Sequence, residues 1–207
     1  MYKLFYAPGG ANMAPHAALE EIGAPHELIR VDLAKGEHRD AAYLRLNPHA
    51  RVPTLVDGDF VMYESAAIVM HLADRHPESG LAPAPGTPER GHWYQWLLYL
   101  SNTPQDAFMQ YFHPDSYAFT PEAQAQVKTM AERRIGGMWE RLDAALASGP
   151  YLLGECFSGC DLYLHMLARW SRNMARPALA YPNLKRCVEL VGARPAVVRM
   201  MQAEGIG

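Results

Sequence analysis

Between Pro77 and Pro88 the chain reads PESGLAPAPGTP, with four prolines and two glycines that no helix or strand interior accepts. The hydrophobic pattern differs on either side of this break. Short strand-like runs and helical runs alternate before it, whereas only helical periodicities follow it. The expected organisation is therefore a mixed α/β domain over residues 1–77, a linker over 78–88 and an all-α domain over 89–207. A chain of 207 residues is long enough for two such domains to bury a core each.

In the first part, residues 2–6 form an aromatic-rich strand closed by the turn residues Pro8-Gly9-Gly10. Asn12 is a preferred N-cap, and Ala17, Ala18, Leu19 and Ile22 line one helical face up to Gly23. His26 to Asp32 follows as a second strand, which makes a β-α-β unit with parallel strands and a right-handed crossover. A shorter helix over 37–45 stops before Asn47-Pro48, since proline disfavours helix in the preceding residue. Thr54-Leu55-Val56 and Phe60 to Tyr63, joined by Asp57-Gly58-Asp59, have the composition of a hairpin. A helix from Ala66 to His76 completes the order β-α-β-α-β-β-α. Beyond the break, helices are expected near 88–112, 121–148 and 158–175, with two shorter ones over 182–203.

Composition removes several classes of function. Hydrophobic residues at 49% and charged ones at 20% are those of a packed globular protein. Nineteen basic against 22 acidic residues leave a net charge of -3 and no basic block that could follow a phosphate backbone, so no nucleic-acid partner is expected. No segment is apolar for long enough to span a bilayer, and the N-terminus lacks a signal-peptide pattern; the expectation is a cytoplasmic protein with no membrane partner. Cys156, Cys160 and Cys187 form no C-x-x-C pair, and nine scattered histidines include no H-E-x-x-H, so no metal is expected.

Two motifs carry the chemistry. In Arg51-Val52-Pro53-Thr54 a proline enters a strand where it cannot donate to the ladder; a cis bond there would turn the Val52 backbone outward to pair with a peptide-like ligand. Glu64-Ser65 stands where a strand gives way to a helix. The helix N-terminus and the Ser65 hydroxyl suit a carboxylate, and Glu64 suits an ammonium group. A ligand with an α-amino-acid end and a peptide backbone satisfies both motifs.

The pattern N-P-x-x-x-V-P-T-L at Asn47–Leu55, the run Y-E-S-A-A-I at Tyr63–Ile68 and the order of elements together resemble the glutathione S-transferase family. Phe157-Ser158-Gly159-Cys160-Asp161-Leu162 is similar to that family's capping motif for a central helix, with Ser158 at the N-cap and Asp161 at N3. The resemblance implies a thioredoxin-like N-terminal domain, an all-α C-terminal domain and a homodimer. It also implies that Val52 and cis Pro53 hold the cysteinyl backbone of glutathione, that Glu64 and Ser65 hold its γ-glutamyl end, and that Arg51 and Lys35 face its glycine carboxylate.

The loop Tyr6 to His16 resembles that of bacterial family members with a catalytic cysteine, yet Ala11 occupies the cysteine's position. The serine position of other classes corresponds to Asn12, and the tyrosine of the mammalian tyrosine classes to Tyr6. A free thiol, with a pKa of about 8.5, needs help to ionise near neutrality. The helix N-terminus and a hydrogen bond from Asn12, preferred, or Tyr6 are the candidate sources of it. The His and Lys that cysteine-type relatives carry on the fourth helical stretch are replaced by Gln105 and Asp106, which follow Pro104. The expected function is a glutathione transferase, with glutathione as cosubstrate and a small apolar electrophile as acceptor. Two alternatives stand beside it: glutathione-dependent disulfide reduction without a protein cysteine, and a non-catalytic interaction module.

Overall fold

Tyr2 and Leu4 are buried while Lys3 between them is exposed, the alternation of a strand with one face against a core. That strand, β1 (Tyr2–Tyr6), lies inside a four-stranded sheet in a computed structural model that describes residues 1–207. The chain leaves β1 through a loop and enters α1 (Met13–Ile22), which ends at Gly23 with φ of 70° and the Gly23 N–H bonded to the Leu19 carbonyl. It returns in β2 (His26–Arg30), parallel to β1 with Leu4 opposite Leu28. After a short α2 (Ala41–Leu44), the hairpin forms as β3 (Thr54–Asp57) and β4 (Phe60–Tyr63), with Gly58 at φ of 62° in the turn. The strand order is β2-β1-β3-β4, with β3 antiparallel to both neighbours. α3 (Ser65–Arg75) follows. The thioredoxin-like order read from the sequence is thus the observed one.

The second part is helical: α4 (Pro88–Asn102), α5 (Pro104–Phe112), α6 (Pro121–Ala145), α7 (Gly159–Trp170), α8 (Pro182–Gly192) and α9 (Pro195–Glu204). Two elements depart from the sequence expectation. The stretch 88–112 is two helices, because Pro104 has no N–H to continue α4 and begins α5 as its first residue. The stretch 37–45 is a 3-10 turn at Glu37–Arg39 followed by the single turn of α2, separated by Asp40 in extended conformation.

The chain divides into two units, Met1–Ala84 with Gly192–Gly207, and Pro85–Val191. The terminal segment that sequence reasoning assigned to the helical domain therefore belongs to the first unit, where α9 packs on α1. The reason is local. Ala14, Ala17 and Ala18 are almost completely buried, and their small side chains let α1 approach α3 and α9 together. Arg194 and Arg199 at the α9 end pair with Glu21 and Glu20 of α1, Arg194 through two bonds of 2.5 and 2.9 Å and Arg199 through one of 2.6 Å to the carboxylate.

In the second unit every residue of α7 from Gly159 to Ala168 is buried, the mark of a central helix. Its start is the expected capping box. The Ser158 N–H donates to Asp161 at 2.8 Å, the Ser158 hydroxyl caps the helix, and the Leu152 N–H adds a second donor to Asp161 at 2.9 Å. Around it pack Trp93 and Leu97 of α4, Phe108 of α5 and Trp139 of α6, all with no exposed surface.

Two buried groups of α7 give opposite pH dependences. Burial raises the Asp161 carboxyl from 3.8 to about 6, against the pull of its hydrogen bonds, and burial lowers His165 from 6.5 to about 4. The Asp161 contribution is full below pH 3.8 and is lost as the pH rises through about 6. The His165 contribution is full above pH 6.5 and is lost as the pH falls through about 4. In the unmodified protein the two slopes offset each other between pH 4 and 6. His165→Leu is expected to unmask the Asp161 slope, so that stability falls by about 2 kcal/mol between pH 4.5 and 6.5; urea titrations at those two pH values measure it.

Candidate functional site

The loop that leads from β1 into α1 is held by a residue from the far end of the chain. Glu204, on α9 and 5% exposed, accepts the Gly9 N–H at 2.9 Å through one carboxylate oxygen. Through the other it accepts the Asn12 amide at 2.8 Å and His16 Nδ1 at 2.9 Å. The Asn12 amide oxygen in turn accepts the Ala7 N–H at 3.1 Å. Four polar groups of the loop and first helical turn are thereby satisfied away from water, which a buried polar group requires. Gly10 is part of the same fit. A Cβ there would lie 2.8 Å from the Asn12 amide oxygen and 3.0 Å from the Ala7 carbonyl.

This network decides where Asn12 stands. It is fully buried, it makes no side-chain cap to α1, and its amide is engaged with Glu204 and Ala7 rather than turned outward. Tyr6 is half-buried at the end of β1, its ring 6.4 Å from that of His16, and its hydroxyl takes no part in the network. Ala11 occupies the turn directly before α1.

The second cluster of candidate residues lies around the entry to β3. Val52-Pro53 is a cis peptide, as the motif required. The segment before it is fixed from behind. The Tyr43 hydroxyl and the Asn47 amide both donate to the Arg51 carbonyl, at 2.6 and 2.8 Å, and both reach the Thr54 hydroxyl, at 2.9 and 3.3 Å. Tyr43 and Asn47 are buried, so Val52 is presented by a rigid support, while the Arg51 side chain is exposed. Burial, against hydrogen bonds from Thr54 and Asn47, raises the Tyr43 phenol above its usual value and keeps it a donor. Asn47-Pro48 was visible in the sequence as a motif; Tyr43 carried no signal beyond its place in a helical pattern.

Glu64 links β4 to α3 with φ of 74° and ψ of 106°, a region that non-glycine residues rarely adopt. Its side chain is exposed, makes no cap to the helix, and has neither hydrogen bond nor ion pair. Ser65, the first residue of α3, is 4% exposed. Such strain costs of order 1–3 kcal/mol and persists where the surroundings enforce it. Lys35 sits apart from these residues' support, on the loop after β2, its ammonium 3.3 Å from Asp32 and its side chain 75% exposed. The Lys35 amide and ammonium, first among the causes, hold the Asp32 carboxyl below its usual value. In the other unit Gln105 accepts the Tyr163 hydroxyl, and Asp106 lies 4.0 Å from Arg134.

Comparison with known proteins places this geometry. The glutathione S-transferase N-terminal domain model matches residues 1–74, and the glutathione S-transferase C-terminal domain model matches 96–195. The chain belongs to the glutathione S-transferase family. Among its relatives, Glutathione S-transferase GstA of Escherichia coli O157:H7 is 28% identical over 99% of both chains. Glutathione S-transferase 3 of Zea mays is 31% identical over 97% of this chain and 93% of its own length. Among solved structures, a glutathione transferase homologue from Sulfitobacter with bound glutathione superposes with a TM-score of 0.91, at 26% identity, covering 100% of this chain and 99% of that one. No helix is long and apolar enough to cross a membrane.

Glu204→Ala would leave the Gly9, Asn12 and His16 donors without their acceptor, and is expected to cost about 3–5 kcal/mol. Gly10→Ala, which presses on the Asn12 amide, is expected to cost about 1–3 kcal/mol. Urea denaturation of each variant measures both.

Proposed function

We propose that the protein is a glutathione transferase that adds the glutathione thiolate to a small apolar electrophile. The observation that carries this reading is Glu64, an exposed and unpartnered carboxylate held in a costly backbone conformation at the head of a helix. Strain of this kind is tolerated where it positions a group for a ligand. In the proposed mode Glu64 takes the ammonium of the γ-glutamyl end, and Ser65 with the first N–H groups of α3 takes its carboxylate. The Val52 backbone, beside cis Pro53, pairs with the cysteinyl unit, and Arg51 and Lys35 attract the glycine carboxylate from the surface.

The thiol then lies at the N-terminus of α1. With Ala11 where cysteine-type relatives place their thiol, the protein offers no nucleophile of its own there, so the glutathione sulfur is the nucleophile throughout. Main-chain N–H groups and the dipole at the start of α1 favour its ionised form, and the Tyr6 hydroxyl is the side-chain donor left free to join them. Asn12 is assigned a positioning role: its amide is spent on Glu204 and Ala7, and it shapes the turn rather than donating to sulfur. The thiolate attacks the electrophilic carbon, the carbon–sulfur bond forms, and the leaving group departs with its electron pair. The protein acts as a homodimer in this reading, which sedimentation velocity at micromolar concentration tests.

Calorimetric titration with glutathione tests the binding. Glu64→Gln keeps size and backbone but removes the charge, and is expected to weaken binding by about 10- to 100-fold, the value of a charge-assisted hydrogen bond. Unchanged affinity would remove the reading. The far-ultraviolet absorbance of the bound thiolate, followed against pH, separates the two loop residues. Tyr6→Phe is expected to raise the thiol pKa by about one unit, whereas Asn12→Ala lowers thermal stability and leaves that pKa in place. Parallel assays with a haloarene and a small mixed disulfide distinguish conjugation from disulfide reduction.

A further inference from the structure

His16 and Glu20 lie one turn apart on α1, and His26 begins β2 beside them. One ring nitrogen of each histidine and one carboxylate oxygen of Glu20 all lie within 4.8 Å of one another. The two imidazoles meet edge to face, with centroids 5.7 Å apart. His26 Nε2 stands 3.5 Å from the nearer Glu20 oxygen.

The hydrogen bonds around this cluster settle the tautomers. His16 Nδ1 is bonded to the Glu204 carboxylate at 2.9 Å, and His26 Nδ1 to the Ala24 carbonyl at 2.9 Å. Neither a carboxylate nor a carbonyl can donate, so each Nδ1 carries a proton, and in the neutral imidazole Nε2 is the atom with the lone pair. Nε2 of His16 is completely buried and has no hydrogen-bond partner. An imidazole whose Nδ1–H is anchored by a carboxylate or a carbonyl, with a free Nε2, is the arrangement that orients metal-binding histidines.

We propose that His16 Nε2, Glu20 and His26 Nε2 bind a divalent transition-metal ion of the zinc class, a site separate from the one proposed for glutathione. Two imidazoles and one carboxylate suit zinc and its neighbours, whereas magnesium and calcium require oxygen-rich sets. A ring nitrogen of each histidine and a Glu20 oxygen within 4.8 Å of one another have a point within about 2.8 Å of all three. Shifts below about 1 Å then reach the 2.0–2.2 Å of zinc bonds, with water completing the coordination. Glu20 and His26 have side chains 17% and 13% exposed, which leaves the ion a path from solvent. Arg199 holds the other Glu20 oxygen at 2.6 Å, so it fixes the carboxylate while offsetting part of its charge; the Glu204 carboxylate behind His16 restores the balance. A bound ion would tie α1 to the start of β2 on the side of α1 that Glu204 already anchors. The spacing escapes a search for local metal motifs because the third ligand belongs to the next strand.

The test uses the full chain stripped with a chelator and titrated with zinc sulfate, with magnesium chloride as the comparison. Expected are one zinc per chain, a rise in melting temperature and no response to magnesium. Cobalt(II) should give the visible bands of a four- or five-coordinate site with nitrogen and oxygen ligands. His26→Ala and the bulkier His26→Gln are expected to weaken zinc binding at least about 100-fold, while His92→Ala, at an exposed histidine elsewhere, leaves it unchanged. Binding weaker than millimolar, or zinc retained by both His26 variants, would overturn the proposal. A cobalt spectrum of six-coordinate type in the unmodified protein would overturn it whether or not the variants fold.

Discussion

The buried carboxylate of Glu204 is the interaction on which the first unit depends. Its two oxygens receive a main-chain N–H, an amide and an imidazole from the loop and first turn that follow β1. Each of those donors would be costly to bury alone, and together they convert a glycine-rich turn into a fixed platform at the start of α1. In the proposed mode of binding the thiol would lie at this platform, whose geometry rests on a helix contributed from far along the sequence. Asn12 illustrates the effect. Its residue type invites a catalytic reading, while its partners make it part of the scaffold.

A different logic governs the other half of the candidate site. Around Val52 and Pro53 the support is local, with Tyr43 and Asn47 converging on the Arg51 carbonyl and the Thr54 hydroxyl from a few residues away. Glu64 stands nearby at the head of α3. The hairpin on one side and α3 on the other hold a non-glycine residue at positive φ, and its carboxylate remains outside every intramolecular bond. One half is rigid through long-range polar contacts and the other through short-range ones, and in the proposed mode the cosubstrate's thiol would meet the first and its γ-glutamyl end and backbone the second.

What could be read from the sequence was mostly chemistry acting over a few residues. The β-α-β unit, the hairpin around Gly58, cis Pro53 and the Ser158–Asp161 box all follow from turn, capping and proline rules applied within short windows. The break at Pro104 is of the same kind, and the helical periodicity running across it concealed a rule that the proline itself stated. Glu204 was beyond such reading. It sits near the end of an ordinary amphipathic helix, and nothing in its neighbours says that it meets His16, 188 residues earlier. The division of the chain misled for the same reason: a helix after a run of helices reads as one of them, and only the small residues of α1 show, once the packing is known, why α9 leaves that group.

The membership of α9 in the first unit has a consequence for how the protein is made. The sheet and its first helices leave the ribosome early, but the carboxylate that satisfies Gly9 is 195 residues further along. Until it is synthesised, the bonds that Gly9, Asn12 and His16 make to this carboxylate cannot form. The helical unit, contiguous in sequence, has no such wait. The contacts that fix the loop at the start of α1 can therefore form only after Glu204 has been synthesised.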